Sequence, residues 1–153
     1  MPKSTHRIDS AEFMAICKRN GLKVTPQRVA IFEAVVDLDT HPSADEVYRI
    51  VTKKFPTISF DTVNRTLVTF SELGIVDITE SSSGIRRLDP DINNHHHIHC
   101  RKCGNIIDFY NKDFDELNVP KKLRNEYRIE KVRVTLMGIC DACQRVSTSE
   151  MNN

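Results

Sequence analysis

Along the first half of the chain, apolar positions recur at helical spacing, with clear stops between them. Phe13, Ile16 and Cys17 share one face of a segment that Ser10 can cap and that runs to about Asn20, with Gly21 as its stop. Thr25-Pro26 begins a second helix, with threonine as N-cap and proline at the first helical position. Its stripe is Val29, Phe32, Val35 and Val36. Ser43-Ala44-Asp45-Glu46 is a capping box. The helix it opens carries Val47, Ile50 and Val51 and must stop before Pro56. A fourth helix runs from about Ser59 to Leu73 and ends at Gly74. Its Val63, Leu67 and Phe70 point inward, and Arg65, Thr69 and Glu72 fall opposite. The period then changes. Ile75–Thr79 and Gly84–Leu88 alternate like strands around a polar loop, which predicts a hairpin.

Helices followed by a hairpin predict a winged helix-turn-helix domain over residues 1–88. The fourth helix is then placed to enter a major groove, with Asp61, Asn64 and Arg65 near its N-terminal end. The plainer alternative is a solvated helix face, since many winged helices bind only protein. Residues 89–94, polar and containing Pro90, read as a hinge. A second domain follows over 95–153. His97–Cys100 and Ile106–Tyr110 read as strands, and 114–126 as helix interrupted at Pro120. Residues 127–139 read as one long strand with Ile129, Val132, Val134 and Leu136 as its apolar positions, and the chain from Gln144 as a frayed tail. The expected class is therefore α+β, a winged helix followed by a small α/β domain. The second domain is short enough for a bound metal to supply stability that its core cannot.

Charge changes this picture little. The net charge is +1, and residues 1–90 hold equal numbers of acidic and basic side chains. A local excess lies in residues 1–30, where Lys3, Arg7, Lys18, Arg19, Lys23 and Arg28 face only Asp9 and Glu12. Nucleic-acid binding is allowed by that distribution. No apolar run approaches the ~18 residues of a membrane span, and the N-terminus has no signal-peptide core. A cytoplasmic protein is expected.

Candidate chemistry sits in the second domain. Cys100-Arg-Lys-Cys103 and Cys140-Asp-Ala-Cys143 are two C-x-x-C knuckles, a strong signature of a four-cysteine zinc site. A redox dithiol and an iron–sulfur ligand set are the alternatives. Cys17, on an apolar helix face, reads as a buried inert thiol. Just before the first knuckle, His95, His97 and His99 point one way from a strand and His96 the other. Imidazoles from one face, with Asp89 and Asp108 near in sequence, suit iron, manganese or zinc. His41, before the third helix, reads by itself as a polar turn residue ahead of Pro42.

Several of these segments occur together in one known family. Thr25-Pro26-Gln27-Arg28, His41-Pro42-Ser43-Ala44-Asp45-Glu46-Val47-Tyr48, Thr62-Val63, Arg65-Thr66-Leu67, Glu72-Leu73-Gly74 and the His run leading into Cys100-x-x-Cys103-Gly104 appear in the right order. The chain resembles the ferric uptake regulator superfamily of metal-dependent repressors over nearly its whole length. The resemblance implies a homodimer, with winged helices on operator DNA and C-terminal domains that dimerise. It implies structural Zn(2+) on Cys100, Cys103, Cys140 and Cys143, and DNA contacts from Gln27, Arg28, Asp61, Asn64 and Arg65. It also implies a regulatory site of His41, Asp89, His95, His97 and Asp108 for Fe(2+) or Mn(2+), with His41 as the ligand drawn from the DNA-binding half. No organic cofactor and no membrane partner are implied.

Asp108 resembles the peroxide-sensing branch, whose iron-sensing relatives usually carry Glu there. In that branch Fe(II) and peroxide oxidise ligand histidines, and His41 and His95 match those attacked. The departures from the family pattern are Asn94 where a histidine begins the H-H-x-H run, His99 in place of an apolar residue, Asn64 in place of Tyr, and Lys131 and Val132 where a late histidine usually lies. The roles of His96 and His99 are open at this stage. Two rival readings stand beside the peroxide sensor. One is an iron- or zinc-responsive repressor, and the other is a metalloenzyme or electron carrier using the His/Asp or four-cysteine site.

Overall fold

The structure, a computed structural model, describes residues 6–38 and 40–150. The outermost residues of both predicted domains, 1–5 and 151–153, lie outside that range. The chain folds into two compact units, and the sequence passes from the first to the second between Asn93 and Asn94.

The first unit begins with α1 (Ser10–Arg19), α2 (Pro26–Val36), α3 (Ala44–Lys54) and α4 (Phe60–Glu72). Local sequence sets each end. Asp9, not Ser10, caps α1, its carboxylate accepting the Glu12 N–H. Thr25 caps α2, Ser43 and Glu46 close a full capping box on α3, and Ser59 caps α4. Gly74, at φ +71°, turns the chain out of α4 in the left-handed region where a Cβ is strained. The hairpin follows as β1 (Asp77–Glu80) and β2 (Arg86–Asp89), antiparallel with Ile78 opposite Leu88. Strand β1 starts two residues later than its alternation suggests, because Ile75 and Val76 are buried in the turn instead.

Phe13 stacks on Phe32 at 4.3 Å and meets the edge of Phe70 at 5.4 Å. Around them Ile31, Val35, Val47, Val51, Val63, Leu67 and Leu88 form one continuous core. Cys17 belongs to it, and burial pushes its thiol pKa up, as for an inert core residue. Ile50, expected inside, is 37% exposed. It lies on the edge of the α3 stripe, beside a shallow groove lined by Ala30, Ala34 and Leu38.

The expected hinge is mostly part of this unit. Asp89 ends β2, Asp91 forms an antiparallel bridge with Arg7, and Ile92 packs on the core. Main-chain pairing therefore continues past the point where polar composition suggested a linker.

The second unit is a three-stranded sheet of order β4-β3-β5 with three short helices. Strand β3 (His96–Cys100) is central, antiparallel to β4 (Ile106–Phe109) and parallel to β5 (Thr135–Gly138). The stretch 114–126 resolves into α5 (Lys112–Asp115), capped by Asn111, and α6 (Lys121–Glu126), which starts at Pro120. The expected long strand is short. Only Thr135–Gly138 finds a ladder, because β3 is five residues long and the Val134 N–H is taken by Nδ1 of His96 at 3.1 Å. The expected frayed tail is α7 (Asp141–Glu150), with Gln144 N–H bonded to the Cys140 carbonyl and Arg145 paired to Asp141.

The apolar core cluster lies wholly in the first unit. In the second, the buried residues among those described are His95, His96, His97, His99 and Cys100. Ile107, Leu123, Tyr127, Ile129, Leu136, Met137 and Val146 are exposed in the chain by itself.

Candidate metal centres and nucleic-acid interface

The four cysteines come together. Cys100 ends β3, Cys103 follows three residues on in a tight turn closed by the Gly104 N–H to the Cys100 carbonyl, and Cys140 and Cys143 lie at the start of α7. All four sulfurs lie within 4.8 Å of one another, and Cys103 Sγ is 3.8 Å from Cys140 Sγ. Thiolates about 2.3 Å from a tetrahedral zinc are about 3.8 Å apart. The donor set therefore fits zinc, and the distances exceed a disulfide's.

The thiols differ. Hydrogen bonds from the Cys103 and Cys140 main-chain N–H groups hold Cys100 down to about 6. Cys143 is pushed up to about 12, chiefly by the hydrogen bond its thiol shares with Cys140, with desolvation adding to it. Zinc binding must remove the remaining protons, so affinity falls as pH falls. Zinc affinity, followed by competition with a chelator, should therefore fall steeply as the pH is lowered, and affinity indifferent to pH would contradict thiolate ligation.

On β3 the alternation of side chains divides the histidines as the sequence indicated. On one face, Nε2 of His95 and Nε2 of His97 are 3.0 Å apart. Asp108 Oδ1, from the facing residue of β4, lies 3.6 Å and 3.4 Å from them. Adjacent donors about 2.1 Å from one ion are about 3.0 Å apart, so this trio fits part of a nitrogen–oxygen metal shell. His99 continues the row, its ring 6.1 Å from that of His97, and is 4% exposed. His96 faces the other way. Its Nδ1 accepts the Val134 N–H, and Nε2 lies 3.1 Å from Asp115 and 3.3 Å from the Asn111 carbonyl. With Phe109 and Phe114 against its ring, His96 pins α5 and the chain before β5 to the sheet.

In the first unit, His41 and Asp89 form a buried pair, Nε2 to Oδ2 3.7 Å. Their segments are stapled together. Leu88 N–H bonds the Pro42 carbonyl at 2.8 Å, and Ser43 bridges Arg87. The Arg87 guanidinium reaches both Glu46 at 2.8 Å and the His41 carbonyl at 3.5 Å. Sequence reasoning missed Arg87, since nothing in its spacing signals the contact.

The helix-turn-helix surface departs from expectation at one residue. Asp61 and Arg65 pair at 3.0 Å on the outward face of α4, both well exposed. Asn64 lies off that face. It is half-buried in a groove lined by Phe60, Leu67, Ile78 and Leu88, because the helical turn rotates it toward the hairpin. Gln27 and Arg28 line a cleft of about 460 Å³ with Thr25, Ser59, Thr62 and Thr66. The N-termini of α2 and α4 both open on this cleft, a setting that favours phosphate oxygens.

The chain matches the Ferric uptake regulator family over residues 19–137. It is 34% identical over 133 residues to the peroxide-responsive repressor PerR of Staphylococcus epidermidis, covering 87% of this chain and 89% of that protein. Among solved structures, the Helicobacter pylori ferric uptake regulator, described as having three functional metal-binding sites, superposes with a TM-score of 0.73. That match is at 23% identity, over 91% of this chain and 97% of that one, and shows the shared fold. PerR from Streptococcus pyogenes, solved as a basis for peroxide sensing and gene regulation, matches at 26% identity with a TM-score of 0.51, over 94% and 99% of the two chains. The chain belongs to the ferric uptake regulator family, and it is a metal-dependent transcriptional repressor rather than an enzyme.

Proposed function

We propose that this repressor is a homodimer that holds operator DNA while a divalent ion occupies His41, Asp89, His95, His97 and Asp108, and that peroxide ends repression by oxidising that site. The observation that carries the reading is the pair of half-sites, a buried His41–Asp89 pair in the DNA-binding unit and a His95–His97–Asp108 trio in the other. An ion shared by both halves favours one arrangement of the two units and shifts the population toward it. The aspartate at 108 and the peroxide-responsive relatives favour the peroxide branch over a plain iron or zinc sensor. Zn(2+) on the four cysteines is the structural ion, and Fe(2+) or Mn(2+) the regulatory one.

Dimerisation is supported by the second unit itself. Its apolar side chains at Ile129, Leu136 and Met137 are more than two-fifths exposed, while the core cluster is all in the other unit. Exposed apolar side chains of this kind are expected where a second subunit packs. Among the described residues no helix is long and apolar enough to cross a membrane. A role on operator DNA supports a cytoplasmic location.

Mn(II)-dependent binding to DNA selected from a random pool tests the reading. Metal should raise affinity for the parent protein and fail to do so for Asp108→Ala. Arg65→Ala should cost about 1–3 kcal/mol if its contact is bidentate to guanine. A lower salt slope with equal loss on all sequences would identify a phosphate contact instead. DNA affinity indifferent to metal would sink the proposal. Unchanged affinity and salt dependence in Arg65→Ala would remove this face of α4 from the interface.

A further inference from the structure

Asp91 has no place in the ligand set, yet it is only 2% exposed. A buried carboxylate is costly unless its oxygens are hydrogen-bonded. Its Oδ1 accepts the main-chain N–H of His6 at 3.0 Å and of Asn93 at 3.1 Å. Its own N–H donates to Oδ1 of Asp89 at 3.0 Å. Residue 91 thus ties together the N-terminal arm, the end of β2 and the chain leading out of the unit. The arm is fixed further along. Ile92 donates its N–H to the His6 carbonyl at 3.1 Å, the Arg7 guanidinium donates to the Val36 carbonyl at 3.1 Å, and Ile8 is buried in the core.

The consequence falls on Asp89. An untethered carboxylate turns about its last torsion and offers either oxygen or both. Here Oδ1 is held by Asp91, and Oδ2 is the oxygen turned to His41. We infer that Asp91 is a positioning residue for the regulatory ion: anchored by the N-terminal arm, it fixes Asp89 so that a single oxygen is presented. The inference rests on the reading that Asp89 and His41 are ligands.

The test uses full-length, zinc-loaded protein, with Mn(II) added and the free ion followed by electron paramagnetic resonance. Asp91→Ala should weaken Mn(II) roughly 10–100-fold, the usual loss when a group orienting a ligand is removed. Asp91→Asn keeps an Oδ1 acceptor and should bind close to the parent. A second pair leaves the buried position untouched. His6→Ala keeps the main-chain donor and should bind as the parent does, whereas His6→Pro removes that donor and should weaken Mn(II). Melting temperature and zinc content, read alongside, separate this role from simple support of the fold. If Asp91→Ala and His6→Pro lower the melting temperature but bind Mn(II) as the parent does, while Asp89→Ala does not bind it, the positioning role is overturned. If Asp89→Ala also binds as the parent does, the ligand reading itself fails and the inference falls with it.

Discussion

Cys103→Ser will lose its zinc and, with it, the folded second unit and the dimer. Among the described residues, the side chains buried there are four histidines and Cys100, so little apolar burial opposes the conformational entropy of its chain. Structural zinc in small domains contributes roughly 10–16 kcal/mol at neutral pH, and that free energy is folding free energy. Removing one of four thiolates forfeits much of it. The first unit should survive, because its core from Ile8 to Leu88 is continuous without help from the second. Metal analysis should fall from one zinc per chain to near none. Size-exclusion chromatography should show a monomer, and circular dichroism should keep most of its helical signal. A Cys103→Ser protein that remains a dimer with one zinc per chain would refute the assignment.

Peroxide added to the Fe(II)-loaded protein will place one oxygen atom on His41 or His95. Iron held by His41, Asp89, His95, His97 and Asp108 would supply the electrons that reduce peroxide beside these rings. In net terms, one peroxide oxygen goes to an imidazole carbon and the other leaves as water. Reaction is expected at these rings because both are sheltered from solvent. His41 has a 7% exposed side chain, His95 is fully buried, and His95 and His97 Nε2 are 3.0 Å apart. An oxidised ring is a poorer ligand, so the ion leaves. Mn(II) does not readily reduce peroxide, so the manganese form should stay unmodified. Peptide mass spectrometry reads the result directly. Unmodified His41 and His95 in the iron form would leave the plain metal-sensor reading in place.

The winged helix was legible because its boundaries are written locally. Thr25-Pro26, the Ser43–Glu46 capping box and Gly74 act within a few residues, and the helical stripes are satisfied by the unit's own core. The second unit was harder for the opposite reason. Alternation through Ile129, Val132, Val134 and Leu136 promised one long strand, but the chain provides a ladder only for Thr135–Gly138. Ile129 and Leu136 remain 42% exposed, so the pattern does not answer to burial within one chain. The α7 helix begins within the second knuckle and continues with a polar sequence, and its Asp141–Arg145 pair is a weak signal beside the tail position. For the site, C-x-x-C spacing and strand alternation were enough to group the cysteines and to separate His96 from its neighbours. His41 and Asp89 are far apart in sequence, and the family resemblance, not spacing, joined them. Asp91 gave no signal, because an acidic residue after Pro90 reads as a polar loop, and its main-chain bridge to Arg7 joins residues far apart in sequence.

One measurement bears most directly on the central claim: fluorescence anisotropy of labelled operator DNA, bound first with Fe(II) and then with Mn(II), before and after peroxide. Metal-free protein should bind weakly, both ions should restore binding, and peroxide should release DNA from the iron form alone. Binding that survives peroxide with Fe(II), or that is lost equally with Mn(II), would contradict it.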